Sequence, residues 1–496
     1  EYAGETLNKV SSVFGNQTSA NTNDSLQALA KEIMPRLSAH SDGIYLNDQL
    51  FQRVKAVFDQ KENLSLNPEE LKLLEETHKN FVNSGANLSP EKKEELKKIN
   101  EQLSLLSVQF GDNLLSETNS FKLVIDNEAD LAGLPESVVA GAAETAKAAN
   151  MEGKWVFTLH APSWIPFLQY SEKRELREKL YKAMYTRGNN GNDKDNNAII
   201  NQIIQLRLQR ANIMGYPNHA AYALNDRMAK NPENVYNLLN QLWTPALVNA
   251  KAEAKDMQAM IKREGGNFEL ASWDWWFYAE KVRKEKYNLD ESEIRPYFEL
   301  NNVREGAFTL ANKLWNISFK PIENIPVPHP DAKAFEVLEA DGSHIGVLFM
   351  DFHPRESKRG GAWMSSYRKQ ARTIEGENIA PVITVVCNFS KPTGDQPALL
   401  SYDEVETLFH EFGHALHGLL SNCQFRGLSG TSVPRDFVEL PSQIMENWCT
   451  QPEMLKLFAK HYQTGEVIPQ ALVDKLLAAS KFNQGFATVE YLAASF

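Results

Sequence analysis

One stretch constrains this chain more than any other: Leu408-Phe409-His410-Glu411-Phe412-Gly413-His414-Ala415-Leu416-His417. It contains H-E-x-x-H. On an α-helix, residues i and i+4 lie on one face, one turn apart. The imidazoles of His410 and His414 can therefore bind one zinc ion as neighbouring ligands. Glu411 follows His410, turned roughly 100° around the helix, beside such an ion rather than on it. A general base for an activated water belongs there.

Catalytic zinc usually takes three protein ligands and keeps a fourth position for water or substrate. His417 fits poorly as the third, because it lies about 10 Å along the axis from His410 at 1.5 Å per residue. The metzincin continuation fails as well, since it needs Gly at 417 and His at 420, where the chain has His417 and Leu420. The better source is the segment Arg435-Asp436-Phe437-Val438-Glu439-Leu440-Pro441-Ser442-Gln443-Ile444-Met445-Glu446. The turn Gly427-Leu428-Ser429-Gly430-Thr431-Ser432 precedes it and lets a second helix fold back on the first. Glu439 and Glu446 share a helical face, and spacing alone does not choose between them.

Residues 398–450 resemble the zinc-helix region of the M3 (thimet oligopeptidase) metallopeptidases. The matching motifs are H-E-F-G-H, the lead-in Leu400-Ser401-Tyr402-Asp403-Glu404-Val405-Glu406-Thr407, and Asp436-Phe437-Val438-Glu439-Leu440-Pro441-Ser442-Gln443. Trp273-Asp274-Trp275-Trp276-Phe277-Tyr278-Ala279-Glu280 and Lys358-Arg359-Gly360-Gly361-Ala362-Trp363-Met364 match too, the latter most like the bacterial peptidyl-dipeptidase branch. The resemblance implies one zinc ion held by His410, His414 and Glu439, with Glu411 as the catalytic carboxylate. It also implies a mostly α-helical, two-lobed gluzincin fold, with a small β-sheet beside the zinc helix and a deep substrate cleft. The implied reaction is hydrolysis of short peptides with release of C-terminal dipeptides; an endo-acting oligopeptidase is the alternative within the family. The family carries a Gly/Tyr-rich loop well downstream of the zinc helices. No such loop follows here, so part of the family pattern is expected to lie outside this chain at both ends.

Around that centre, Glu446 is expected to orient a ligand histidine, and His417 to pack beside the site. Gly361, Ala362 and Trp363 are expected to bind substrate. Small residues there let a second backbone approach, and an extended peptide can add to an exposed sheet edge. A rival reading is a non-catalytic helical peptide-binding protein with structural zinc. Such sites are usually closed by four ligands, often cysteines, and Cys387, Cys423 and Cys449 have no ligand spacing.

The chain has 496 residues and a formal net charge of −12 at pH 7. That balance argues against a nucleic-acid partner. No apolar run is long enough to span a membrane. Sparse, odd cysteines fit a reducing compartment or plain burial better than a disulfide framework. A monomer in the cytoplasm is expected, or in the periplasm, since any signal peptide would precede residue 1.

Two lobes are expected, a mainly helical one over 1–285 and the zinc-bearing catalytic one over 286–496. Ser89-Pro90-Glu91 opens a helix whose apolar positions Leu96, Ile99, Leu103, Leu106 and Phe110 step by three and four. Strand-like runs at 121–125 and 155–159 flank an Ala-rich helix around 136–149. The polar run 188–196 lacks the order of an EF-hand and reads as a plain connection. Helical patterns follow over about 197–215 and 232–264. From 333 the period becomes two: 334–339 and 344–351 flank Asp341-Gly342 as a hairpin, and 381–389 reads as another strand.

Overall fold

The computed structural model describes residues 3–394 and 396–496 and is mostly α-helical, with one mixed five-stranded sheet. The helix Pro90–Ser120 begins as its cap residues dictate: Ser89 Oγ accepts from the Lys92 amide, and Pro90 occupies the first turn. Its stripe of Leu96, Ile99, Leu103 and Leu106 is buried. Strands β1 (Leu123–Ile125) and β2 (Trp155–Phe157) pair antiparallel, and the helix Glu136–Ala148 lies between them in the chain. Helices Asn197–Ile213 and Pro232–Arg263 follow, the second stopped at Gly265, whose φ of +81° is readily adopted by glycine.

The Asn-rich loop at 188–196 wraps a carboxylate. Glu117, 7% exposed, accepts from the Gly188 amide at 2.8 Å, Asn190 Nδ2 at 2.5 Å and Asn192 Nδ2 at 2.6 Å. Neutral donors thus satisfy a buried acid, as burial requires.

The Trp-rich segment is a packing element with a charge inside it. Asp274 is 0% exposed and binds the guanidinium groups of Arg174 and Arg177, each at 2.8 Å. Arg177 is also buried and lies 4.1 Å from the centre of the Phe277 ring. Asp274→Ala strands that guanidinium without its partner, and we expect a loss of about 3–5 kcal/mol of stability. Urea denaturation of the variant against the parent checks it.

In the carboxy-terminal half the strand order is β3-β4-β5-β9-β6. Strands β3 (Ser318–Pro321), β4 (Lys333–Leu338) and β5 (His344–Asp351) run antiparallel, with Gly342 at φ +86° in the β4–β5 turn. The long connection after β5 contains β6 (Trp363–Arg368) and the small pair β7 (Ala371–Arg372) and β8 (Asn378–Ile379). Then β9 (Val382–Val386) returns parallel to β5, and β6 pairs antiparallel with β9 at the sheet's edge. The helix Tyr402–Leu419 covers one face. Its Leu408, Phe412 and Ala415 share a core with Val337, Leu348, Met350, Ile383 and Val385.

Both end helices pack against distant parts of the chain. The helix Glu5–Ala20 sits at the β6 end of the sheet, where the Arg359 amide donates to Ser19 O at 3.0 Å and the Thr22 amide to Ser357 O at 2.8 Å. The helix Gln484–Ser495 lies on Pro232–Arg263; Glu253 there accepts from the Gly485 amide at 2.9 Å and the Phe486 amide at 2.8 Å. Residue 285 itself falls in the last turn of the helix Trp275–Tyr287.

Candidate active site

Ser401 and Glu404 set the start of the histidine helix through a reciprocal cap: Ser401 Oγ accepts from the Glu404 amide at 3.1 Å, and the Glu404 carboxylate from the Ser401 amide at 2.8 Å. The chain then turns back into the helix Glu439–Glu446. Gly413 decides how close the two come. A Cβ at 413 would lie 2.6 Å from Ser442 Cα and 2.8 Å from Pro441 O, so a larger residue would push the helices apart. The glycine of H-E-F-G-H is therefore a contact surface for the second helix.

That approach brings three donors together. Glu439 Oε2 lies 3.2 Å from His410 Nε2 and 3.0 Å from His414 Nε2. The candidate ligand atoms of His410, His414 and Glu439 all fall within 4.8 Å of one another. Tetrahedral zinc with bonds of 2.0–2.1 Å separates its donors by about 3.3 Å. The spacing and the donor set, two imidazoles and a carboxylate, fit such an ion.

Glu446 Oε1 is 2.6 Å from His410 Nδ1, on the opposite edge of the ring from Glu439. His417 is half-buried and lies outside the group; its Nδ1 has no hydrogen-bond partner among the described residues. Glu411 is 5% exposed, and its Oε2 is buried without a partner. Burial pushes its carboxyl up to about 7, opposed by the charge of His410 and by a hydrogen bond from the Met364 backbone, with Glu439 adding to the rise. The Met364 contact places β6 beside Glu411.

The lead-in to β6 is held by residues that sequence reasoning did not single out as site residues. Lys358, fully buried, donates to Asp351 Oδ1 at 2.8 Å, His353 O at 2.8 Å and Cys387 O at 2.7 Å. Asn388 Nδ2 donates to Arg359 O at 3.0 Å and Gly361 O at 2.6 Å. Gly361 has φ +90°, which favours glycine. A lysine beside paired glycines was the available signal for Lys358. Asn388 left none, because its partners are 27 and 29 residues away.

The protein-family model described as Peptidase family M3 matches residues 167–495. The chain is 42% identical over 496 residues to a dipeptidyl carboxypeptidase of Escherichia coli (strain K12), spanning all of this chain and 72% of that protein. It is 36% identical over 483 residues to oligopeptidase A of the same organism, covering 96% of this chain and 71% of that one. A probable cytosolic oligopeptidase A of Arabidopsis thaliana is 36% identical over 484 residues, covering 94% and 68%. Among the described residues, no helix is long and apolar enough to cross a membrane.

Proposed function

Since the chain belongs to peptidase family M3 and is a metallopeptidase, we propose that it uses one zinc ion to release C-terminal dipeptides from short peptides. The convergence of His410, His414 and Glu439, with Glu411 beside them, carries the chemical part of that reading. The 42% identity to a protein named dipeptidyl carboxypeptidase supports the dipeptide part.

A zinc ion held there would supply Lewis-acid polarisation of the scissile carbonyl and would acidify a water. His410 and His414 offer Nε2 and Glu439 offers Oε2. Glu446 accepts the Nδ1 proton of His410, which fixes the tautomer with Nε2 free to ligate. Glu411 takes the water proton and passes it to the leaving amine. The free cysteines Cys387, Cys423 and Cys449 support a reducing compartment such as the cytoplasm.

An N-blocked tetrapeptide with a free carboxylate, assayed beside its C-terminal amide, tests the reading by mass spectrometry. Dipeptide release from the acid alone is expected. Equal cleavage of both would favour the endo-acting alternative, and cleavage of neither in zinc-loaded protein would count against the peptidase reading.

The peptide is held through its backbone on the edge at Gly361, Ala362 and Trp363. Strand β6 is an edge strand with no partner beyond it in the sheet among the described residues. Gly361 and Ala362 lead into β6; Asn388 takes the Gly361 carbonyl on the β9 side, and the trans peptide turns the Ala362 amide to the opposite side. Ala362→Pro removes that donor. We expect kcat/KM for peptides to fall about tenfold, the worth of one hydrogen bond, with zinc content and melting temperature unchanged. Unaltered kinetics would rule out capture at this amide.

A further inference from the structure

A polar cavity of about 510 Å³ opens in the amino-terminal half among helices Asp24–Tyr45, Pro90–Ser120 and Asn197–Ile213. All of its lining residues lie between 34 and 222, so none comes from the elements that carry the histidines or Glu439. Serine hydroxyls line much of it. The charged groups on its wall are less easily explained.

Asp42 lines the cavity and is 8% exposed. Its Oδ1 accepts from Asn100 Nδ2 at 2.9 Å, while its Oδ2 is buried with no hydrogen-bond partner among the described residues. A buried, half-satisfied carboxylate is costly. Burial accordingly pushes Asp42 above the usual carboxylate range, against the pull of Asn100, Lys97 and Arg210. Arg207 and Arg210 line the same cavity, and neither has a carboxylate within ion-pair distance among the described residues. Arg210 Nε is buried and unpartnered, and the guanidinium lies 5.6 Å from the centre of the Tyr222 ring.

Asp42 Oδ2 and Arg210 Nε are both buried without a partner among the described residues, and the exposed Arg207 adds a second guanidinium to the wall; a ligand with both charges meets all three. An inorganic anion would satisfy the arginines and worsen the position of Asp42. A simple cation would do the reverse. A zwitterion satisfies both, its ammonium on Asp42 and its carboxylate on the planar guanidinium donors. The volume exceeds what a single amino acid needs, and Met34, Leu96 and Leu103 offer an apolar wall for a side chain.

We infer that this cavity is a second peptide site, which binds a free dipeptide by its two ends, away from the metal centre. Dipeptides are what the proposed reaction releases, yet the binding itself does not depend on that activity.

The test is calorimetric titration of the metal-chelated chain with alanyl-leucine. N-acetyl-alanyl-leucine, alanyl-leucine amide and inorganic phosphate are titrated in parallel, with Arg207→Ala and Asp42→Asn as variants. Alanyl-leucine should bind, and losing either charge from the ligand or the wall should weaken binding about tenfold. Arg207 is exposed, so its variant folds, as a melting curve verifies, and zinc-dependent hydrolysis in it should stay within about twofold of the parent. No binding, binding unchanged in Arg207→Ala, or phosphate binding as well as the dipeptide would each overturn the inference. Failure of the peptidase assay would leave the calorimetric result standing, which separates the two readings.

Discussion

Glu411→Gln is expected to lower peptide hydrolysis by about 10²- to 10⁴-fold while zinc stays bound, the usual worth of a positioned general base. The amide fills the same buried space, so the sheet and both helices should hold. It cannot accept the water proton. Glu411 lies between the two histidines in sequence but is outside the group of converging donors, so metal content should not follow activity. Steady-state kinetics with zinc stoichiometry by mass spectrometry decides it. Near-normal turnover would remove Glu411 from the mechanism, and loss of zinc would make it a ligand.

The second large effect is on the metal. Glu439→Ala should leave a site of two histidines, and zinc should be lost on dialysis at micromolar protein. Glu446→Gln should act through His410, weakening zinc affinity by about 10- to 100-fold, as such supporting contacts do. His417→Ala should retain zinc, because His417 does not join the converging donors. Metal retained in Glu439→Ala and lost in His417→Ala would reverse the assignment.

Why spacing could not separate Glu439 from Glu446 is visible in the fold. The second helix is eight residues long, and the two carboxylates are its first and last residues. Each reaches a different nitrogen of the same ring, Glu439 near Nε2 and Glu446 on Nδ1 of His410. Sequence periodicity places both on the right face and is blind to which edge of the imidazole each will meet. Only the family resemblance favoured Glu439 beforehand.

Local signals are legible elsewhere in the sequence. The cap at Ser89 and the β4–β5 hairpin depend on residues a few positions apart, and both formed close to the expected bounds. The stripe beyond Ser89 is buried to Leu106, and Phe110 is half-buried. Non-local features were not legible. The asparagines of 188–196 make sense only once Glu117, about seventy positions earlier, is placed among them. The packing of Glu5–Ala20 near β6, and of Gln484–Ser495 on Pro232–Arg263, depends on surfaces far away in sequence.

The strand order carries a consequence for how the protein is made. Strand β6 precedes β9 in the chain, yet among the described residues β9 is its sole partner in the sheet and itself docks in parallel on β5. As the chain leaves the ribosome, β6 emerges with nothing to pair with until residues 382–386 have followed and found β5. Parallel pairing across a long connection is slow, because loop closure must precede any gain. The strand proposed to receive the peptide is thus the last of the five to be seated. Until then its unpaired backbone is open to the addition of a foreign strand.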